Sequence, residues 1–213
     1  MAEKMVFRAG DERHLFYTDI VEYKYYGGFA KSQRQKCVMS LHDSIRSRNP
    51  EARILEISSK SLQEEGIRLS AFNLGYTLPD GSRVPVECVF QSSKKFAEGG
   101  PYTDLLQVTP REAKKDVRLR ESGPLEAFVW DGKTWPLIPQ TFFYDWIYIK
   151  ALHDNPELAG KVLEYDTFTD IEFNHKKSIN CQARSAAIYK TLVQRGLVEE
   201  VIKDAQVMKG LYR

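Results

Sequence analysis

An acid, an aromatic ring, an amide and an amine recur at i, i+3, i+4 and i+7 in Val86-Glu87-Cys88-Val89-Phe90-Gln91-Ser92-Ser93-Lys94. On a helix that spacing places Glu87, Phe90, Gln91 and Lys94 on one face. An acid and an amine on an otherwise apolar face make a poor core and a good wall for a pocket that holds a polar ligand. Seven residues of helix rise about 10.5 Å, and a helical lysine leans back toward the N-terminus. Lys94 is therefore expected to hang over the turn below it, with a sugar-sized gap above Glu87. The alternative is a solvated surface face, the common setting of Glu and Lys.

Other residues stand out for their surroundings. Asp145 is the only charge between Phe142 and Ile149. Burying a lone carboxylate is costly, so it either pairs with a nearby arginine or lines a polar cavity. Thr169-Asp170-Ile171-Glu172-Phe173-Asn174 alternates, and as a strand it would show Asp170 and Glu172 on one face. The polar, basic run His175 to Arg184, with Asn180 and Arg184, reads as a phosphate-facing loop entering a helix N-terminus. Ser58-Ser59-Lys60-Ser61 offers Ser58 and Lys60 as a second phosphate cradle. Ordinary solvated loops are the alternative for both. Trp135 either stacks on a base or anchors the core. Cys88 and Cys181 read as packing thiols. No G-x-S-x-G, P-loop or G-x-G-x-x-G occurs.

The chain as a whole narrows the classes. Its 31 basic and 29 acidic residues leave a net charge of +2, too balanced for a non-specific DNA coat but open to local basic patches. With 42% hydrophobic residues among 213, a substantial core is expected and disorder is not. Three cysteines without a C-x-x-C pair, and four histidines without an H-x-x-x-H pair, imply neither a disulfide scaffold nor a zinc site. No metal or cofactor is called for. No apolar run approaches the length of a membrane span, and Met1 to Met5 lacks a signal-peptide core. A cytoplasmic protein without a membrane partner is expected.

The elements that must position these residues read as follows. Residues 5–29 form one or two aromatic-rich strands, with Gly27-Gly28 as a turn. A helix runs from Ser32 to about Arg48 and stops before Pro50, and Arg53 to Ile57 is a short strand. A short helix spans 61–65, and Leu78-Pro79-Asp80-Gly81 is a turn. The helix carrying Glu87 and Lys94 runs on to Gly99-Gly100. Thr109, Pro110 and Glu112 spell a capping box, and Asp131-Gly132 marks a turn. Gln140 to His153 is apolar nearly all round, as a central buried helix is. Helices follow at 156–164, from Ser178 or Asn180 to Gly196, and in a short tail. Strands first and helices after give an α+β domain, helix-dominated, with a small N-terminal mixed or antiparallel sheet. Residues 1–60 are expected as a sheet-and-helix extension packed on a catalytic domain at 61–213.

Several stretches resemble the NADAR domain family in order and spacing: Leu69 to Asn73, Val86 to Gln91 with Lys94, Thr109 to Lys114, Trp135 before the aromatic helix, Asn155 to Leu158, and Asp170 to Glu172. The likeness covers about residues 69–195. Ser58 to Ser61, Gly99-Gly100-Pro101-Tyr102, Phe143 to Trp146 and Ser178 to Arg184 are most similar to the subgroup linked to DarT-type toxins. The family's Trp-Gly-x-Gly is absent, with His175 to Gln182 in its place, and the Asn of Ser-Asn-Phe is displaced to Asn73. The resemblance implies an N-glycosidase that removes ADP-ribose from guanine in DNA, an antitoxin whose partner is a DarT-type toxin. A non-catalytic module binding ADP-ribose or the toxin, or an N-glycosidase of small riboflavin-pathway intermediates, are the alternatives.

The chemistry agrees with the residues. An N-glycosidic bond breaks through an oxocarbenium-like state that needs a carboxylate beside C1 and a proton for the leaving nitrogen. Glu87 is expected as acid and base, and Lys94 as nucleophile or oxyanion partner. Asp170 or Glu172 would orient ribose hydroxyls or water. Ser58, Lys60, Asn73, Gln91, Asp145, Asn180 and Arg184 are expected to bind substrate, with Phe90 or Trp135 stacking on an extruded guanine.

Overall fold

The computed structural model describes residues 1–212. The chain starts with β1 (Ala2–Ala9) and β2 (Phe16–Tyr23), paired antiparallel from Ala2 with Tyr23 to Ala9 with Phe16. The reversal lies at residues 10–15. Asp11 Oδ1 accepts from the backbone N–H groups of Arg13 and His14 at 2.8 and 2.9 Å. A Cβ on Gly10 would sit 1.8 Å from the His14 carbonyl oxygen. Gly27-Gly28, with Gly28 at φ 111°, leads from β2 into α1 (Lys31–Arg48).

After α1 come β3 (Ile54–Glu56), α2 (Glu64–Arg68), β4 (Gly75–Thr77), β5 (Arg83–Pro85), α3 (Val86–Ser92) and β6 (Lys94–Phe96). A 3₁₀ turn at Thr103–Gln107 precedes α4 (Pro110–Lys115), α5 (Arg118–Glu121), β7 (Leu125–Trp130) and β8 (Lys133–Trp135). The remainder is α6 (Phe142–His153), α7 (Pro156–Leu163), β9 (Thr167–Thr169), α8 (Gln182–Gln194), α9 (Val198–Lys203) and α10 (Ala205–Leu211). The mixed α+β class expected from the sequence is the one observed. Among the described residues, no helix is long and apolar enough to cross a membrane.

One four-stranded sheet, in the order β2-β1-β9-β3, forms the middle layer. β9 runs antiparallel to β1 and parallel to β3. Neighbouring residues on a strand point to opposite faces. Val6 and Ile54 pack with Val38, Leu41 and Ile45 of α1. Phe7, Leu55 and Phe168 turn instead into the larger helical core. At its centre lies α6, buried from Phe142 to Ile149 as its all-round apolar sequence requires. α8 packs against both α6 and β1.

Local signals hold elsewhere. Thr109 and Glu112 form the reciprocal capping box at the head of α4. Asp131 and Gly132, at φ 51° and 68°, make the two-residue turn between β7 and β8.

Two elements near the site differ from expectation. α3 stops at Ser92, so Lys94 stands on a strand and not seven residues along a helix. The Oγ atoms of Ser92 and Ser93 donate back to the Val89 and Phe90 carbonyls at 3.0 and 3.0 Å. The carbonyls of Ser92 and Ser93 then accept from the N–H groups of Tyr102 and Val129, outside the helix. Pairing with β7 decides what periodicity alone reads as helix. Residues 170–174 are likewise not a strand. β9 ends at Thr169, and Asp170 Oδ1 accepts from Glu172 N and Phe173 N at 3.0 and 3.0 Å, which turns the chain.

Candidate active site

α3 is buried along its whole length, and its first turn meets the loop after α2. Val86 N donates to the Leu74 carbonyl and Glu87 N to the Ala71 carbonyl, each at 2.9 Å. Gln182, at the head of α8, locks that loop to the end of β3: its Oε1 accepts from Ala71 N at 2.7 Å and its Nε2 donates to the Ile57 carbonyl at 2.6 Å. These three segments enclose one end of a pocket of about 630 Å³.

Glu87 lies in the wall of this pocket and is only 6% exposed. Its Oε1 accepts from Gln91 Nε2 at 2.8 Å and lies 3.6 Å from Lys114 Nζ. Being in the first turn of α3, the carboxylate also faces the positive end of the helix dipole. Lys114 leans over the Phe72 ring, 5.4 Å from its centroid, so cation and ring together edge the opening.

Lys94 reaches the same pocket from β6. Its Nζ stands 4.7 Å from the Phe90 centroid, a cation over an aromatic face. Burial pulls its pKa down to about 8; Glu87 works against that shift and Lys114 with it. The strand therefore delivers the amine that the sequence assigned to a longer helix. Phe90 packs edge-on against Tyr144, at 5.2 Å, and lines the same cavity.

Across from α3, the turn after β9 contributes Asp170, Glu172 and Phe173, and the loop before α8 contributes Asn180. Asp170 is 6% exposed. Glu172 is more open and pairs with Arg34 at 3.7 Å. Ser58, just after β3, lines the pocket, and its hydroxyl donates to Glu56 Oε1 at 2.6 Å. Two buried acceptors here, Gln91 Oε1 and Asn180 Oδ1, meet no hydrogen-bond donor among the described residues.

Five residues expected to bind substrate lie away from this pocket. Asn73 is exposed and donates to the Ile67 carbonyl and Ser70 Oγ at 2.9 and 3.0 Å, tying its own turn. Lys60 reaches only to Ser59 Oγ, at 2.9 Å. Trp135 is core, packed on Phe142, Phe143 and Trp146. Asp145 is fully buried, and Arg184 is its counter-ion, with Nη2 at 3.2 and 3.1 Å from the two carboxylate oxygens. Ser185 and Tyr212 complete the set, donating to Asp145 at 2.5 and 2.8 Å. For Asp145 the arginine partner is the alternative that holds.

Glu56 escaped sequence reasoning. It sits fully buried at the end of β3, directly behind the pocket wall. The signal was present: an acid inside Ile54-Leu55-Glu56-Ile57 is as conspicuous as Asp145 within its aromatic run.

No curated protein matches the sequence. The family model described as the DarT1-associated NADAR antitoxin matches residues 2–213, nearly the whole chain. With Glu87, Phe90, Gln91 and Lys94 gathered in one pocket, the chain belongs to the DarT1-associated NADAR antitoxin family.

Proposed function

We propose that this protein is an N-glycosidase that releases ADP-ribose from guanine in nucleic acid, and so acts as antitoxin to a DarT-type toxin. The observation that carries this reading is Glu87, a carboxylate buried in the wall of a 630 Å³ pocket with an amine and an aromatic ring beside it. Cleavage of a C1–N bond builds positive charge on the ribose, and a buried carboxylate stabilises that charge more strongly than an exposed one. In this reading Glu87 does this and takes a proton from the attacking water. Lys94 either attacks C1 as a neutral amine or balances developing negative charge.

The orphaned acceptors Gln91 Oε1 and Asn180 Oδ1 call for a ligand rich in N–H or O–H donors. Ribose hydroxyls and the guanine edge both supply them. Lys114 and Lys177 line the pocket and suit the diphosphate. A guanine within a duplex must be extruded or single-stranded to reach this depth.

The test is a DNA oligonucleotide carrying ADP-ribosyl-guanine, incubated with wild type and with Glu87→Gln. Free ADP-ribose from wild type alone is expected. No release by wild type despite tight binding would overturn the enzymatic reading in favour of a sequestering module, and neither release nor binding would redirect it to small N-glycosides.

A further inference from the structure

Behind the pocket wall, three ionisable side chains from three separate segments are tied to the turn that follows β9. Glu56 of β3 accepts from Ser58 Oγ at 2.6 Å and Ile171 N at 2.8 Å through Oε1, and from Thr169 Oγ1 at 2.6 Å through Oε2. It thereby clamps the pocket loop after β3 to the pocket loop after β9. Lys4 comes from β1, and its ammonium is held by the Phe173 carbonyl oxygen. Asp170 lines the pocket itself. Its Oδ1 is occupied by two backbone N–H groups, which leaves Oδ2 for a ligand.

Glu56 bonds to the residues on either side of Asp170, and Lys4 is tied to Phe173 three residues further on, so two carboxyl groups share the neighbourhood of one buried amine. Two buried like charges with a single counter-ion favour a proton on one of them. Glu56 has two hydroxyl partners and a backbone donor spread over both oxygens, which stabilise its anion better than donors on one oxygen do. Asp170 has donors on one oxygen alone. We propose that Glu56 is a positioning residue that keeps a proton on Asp170, that Lys4 limits how firmly that proton is held, and that Asp170 delivers it to the leaving base. The assignment rests on the hydrolase reading and divides its acid and base roles between two carboxyls.

The electrostatics run the same way. Burial, and after it the Glu56 charge, push Asp170 up to about 7, with Lys4 opposing. Burial pushes Glu56 upward too, against its three donors and Lys4. The other groups near Asp170 carry little charge at neutral pH. Cys181 at the head of α8, and Tyr144 and Tyr148 of α6, are all raised by burial. His42 of α1, 3.0 Å from Thr169 Oγ1, is kept neutral by burial, its pKa down to about 4. Glu172 is answered by Arg34.

In the step itself the C1–N electron pair goes to the guanine nitrogen, which takes the Asp170 proton. Water oxygen bonds to C1 and gives its proton to Glu87. Return of that proton through solvent to Asp170 resets the site, for a net reaction of ADP-ribosyl-guanine and water to ADP-ribose and guanine.

The experiment combines two readouts on wild type, Glu56→Gln, Lys4→Met and Lys4→Arg. One is the ¹³C NMR titration of the Asp170 carboxyl, assigned with Asp170→Asn. The other is the pH profile of ADP-ribose release. Glu56→Gln should lower the Asp170 midpoint and Lys4→Met should raise it, each by about one pH unit. The alkaline limb of release should move in the same two directions, and Lys4→Arg should restore both. Variants that scale the rate without moving the limb, or an unmoved Asp170 midpoint, would overturn the assignment while release by wild type keeps the hydrolase reading. Opposed midpoint shifts without release by wild type would overturn the hydrolase reading, and the donor role with it. Gln is isosteric with Glu and Met close to Lys, and the same spectra report whether each variant is folded.

Discussion

Gln91 Nε2 donates to Glu87 Oε1 at 2.8 Å from one helical turn further along α3. A carboxylate only accepts, so this bond fixes which way the amide points. The Gln91 carbonyl oxygen is turned away, buried, and without a donor among the described residues. The acid thus sets the orientation of its neighbour's amide.

Gln91→Leu should weaken ADP-ribose binding about tenfold, within the range expected for a buried acceptor that loses its partner. Titration calorimetry measures it. An unchanged Kd would mean that the oxygen does not meet the ligand.

Lys94 has a folded pKa near 8, below its usual 10.5, because it is buried. Its reactive neutral fraction therefore rises as pH climbs toward and past that value. If it forms a Schiff base with C1, borohydride should trap an adduct whose yield grows from about pH 7 to about pH 9. Mass spectrometry of wild type and Lys94→Arg decides this. Release without an adduct at any pH leaves the lysine an electrostatic part only.

Arg184→Leu should destabilise the fold by about 3–5 kcal/mol, since it leaves the fully buried Asp145 without its counter-ion. Urea unfolding measures the loss. Ligand affinity of the folded fraction should stay at the wild-type value, because neither residue lines the pocket; a weakened Kd would place the pair in the site after all.

Asp170 carries a pH signature in stability as well. Its folded pKa of about 7 lies above the ordinary 3.8, so between those values the folded state binds the extra proton. That contribution is complete below about pH 4 and is lost as pH rises through 7. Relative to wild type, Asp170→Asn should gain stability with rising pH across that window, by at most about 1.4 kcal/mol per pH unit. Parallel stability curves for the two proteins would show that Asp170 titrates normally.

Much of the fold was legible because it rests on local chemistry. The capping box at Thr109 and Glu112, the Asp131-Gly132 turn and the apolar helix from Phe142 each announce themselves within a few residues. In the site, Glu87, Phe90 and Gln91 share a helix turn as their spacing indicates. What the sequence hid is set by distant partners. Lys94 leaves the helix because β7 claims it. Asp145 and Arg184 find each other from separate helices. Glu56 becomes a clamp only once residues 169–171, more than a hundred positions later, lie beside it.

The central place of β1, between β2 and β9, also has a bearing on biosynthesis. β1 is made long before its partner and waits for residues 167–168 before its second edge is paired. Lys4 likewise meets Phe173 only then. Such long-range pairing forms slowly. The pocket is thus a late product of folding: a chain translated only as far as residue 165 has no means of building it, because residues 170–182 supply one of its sides.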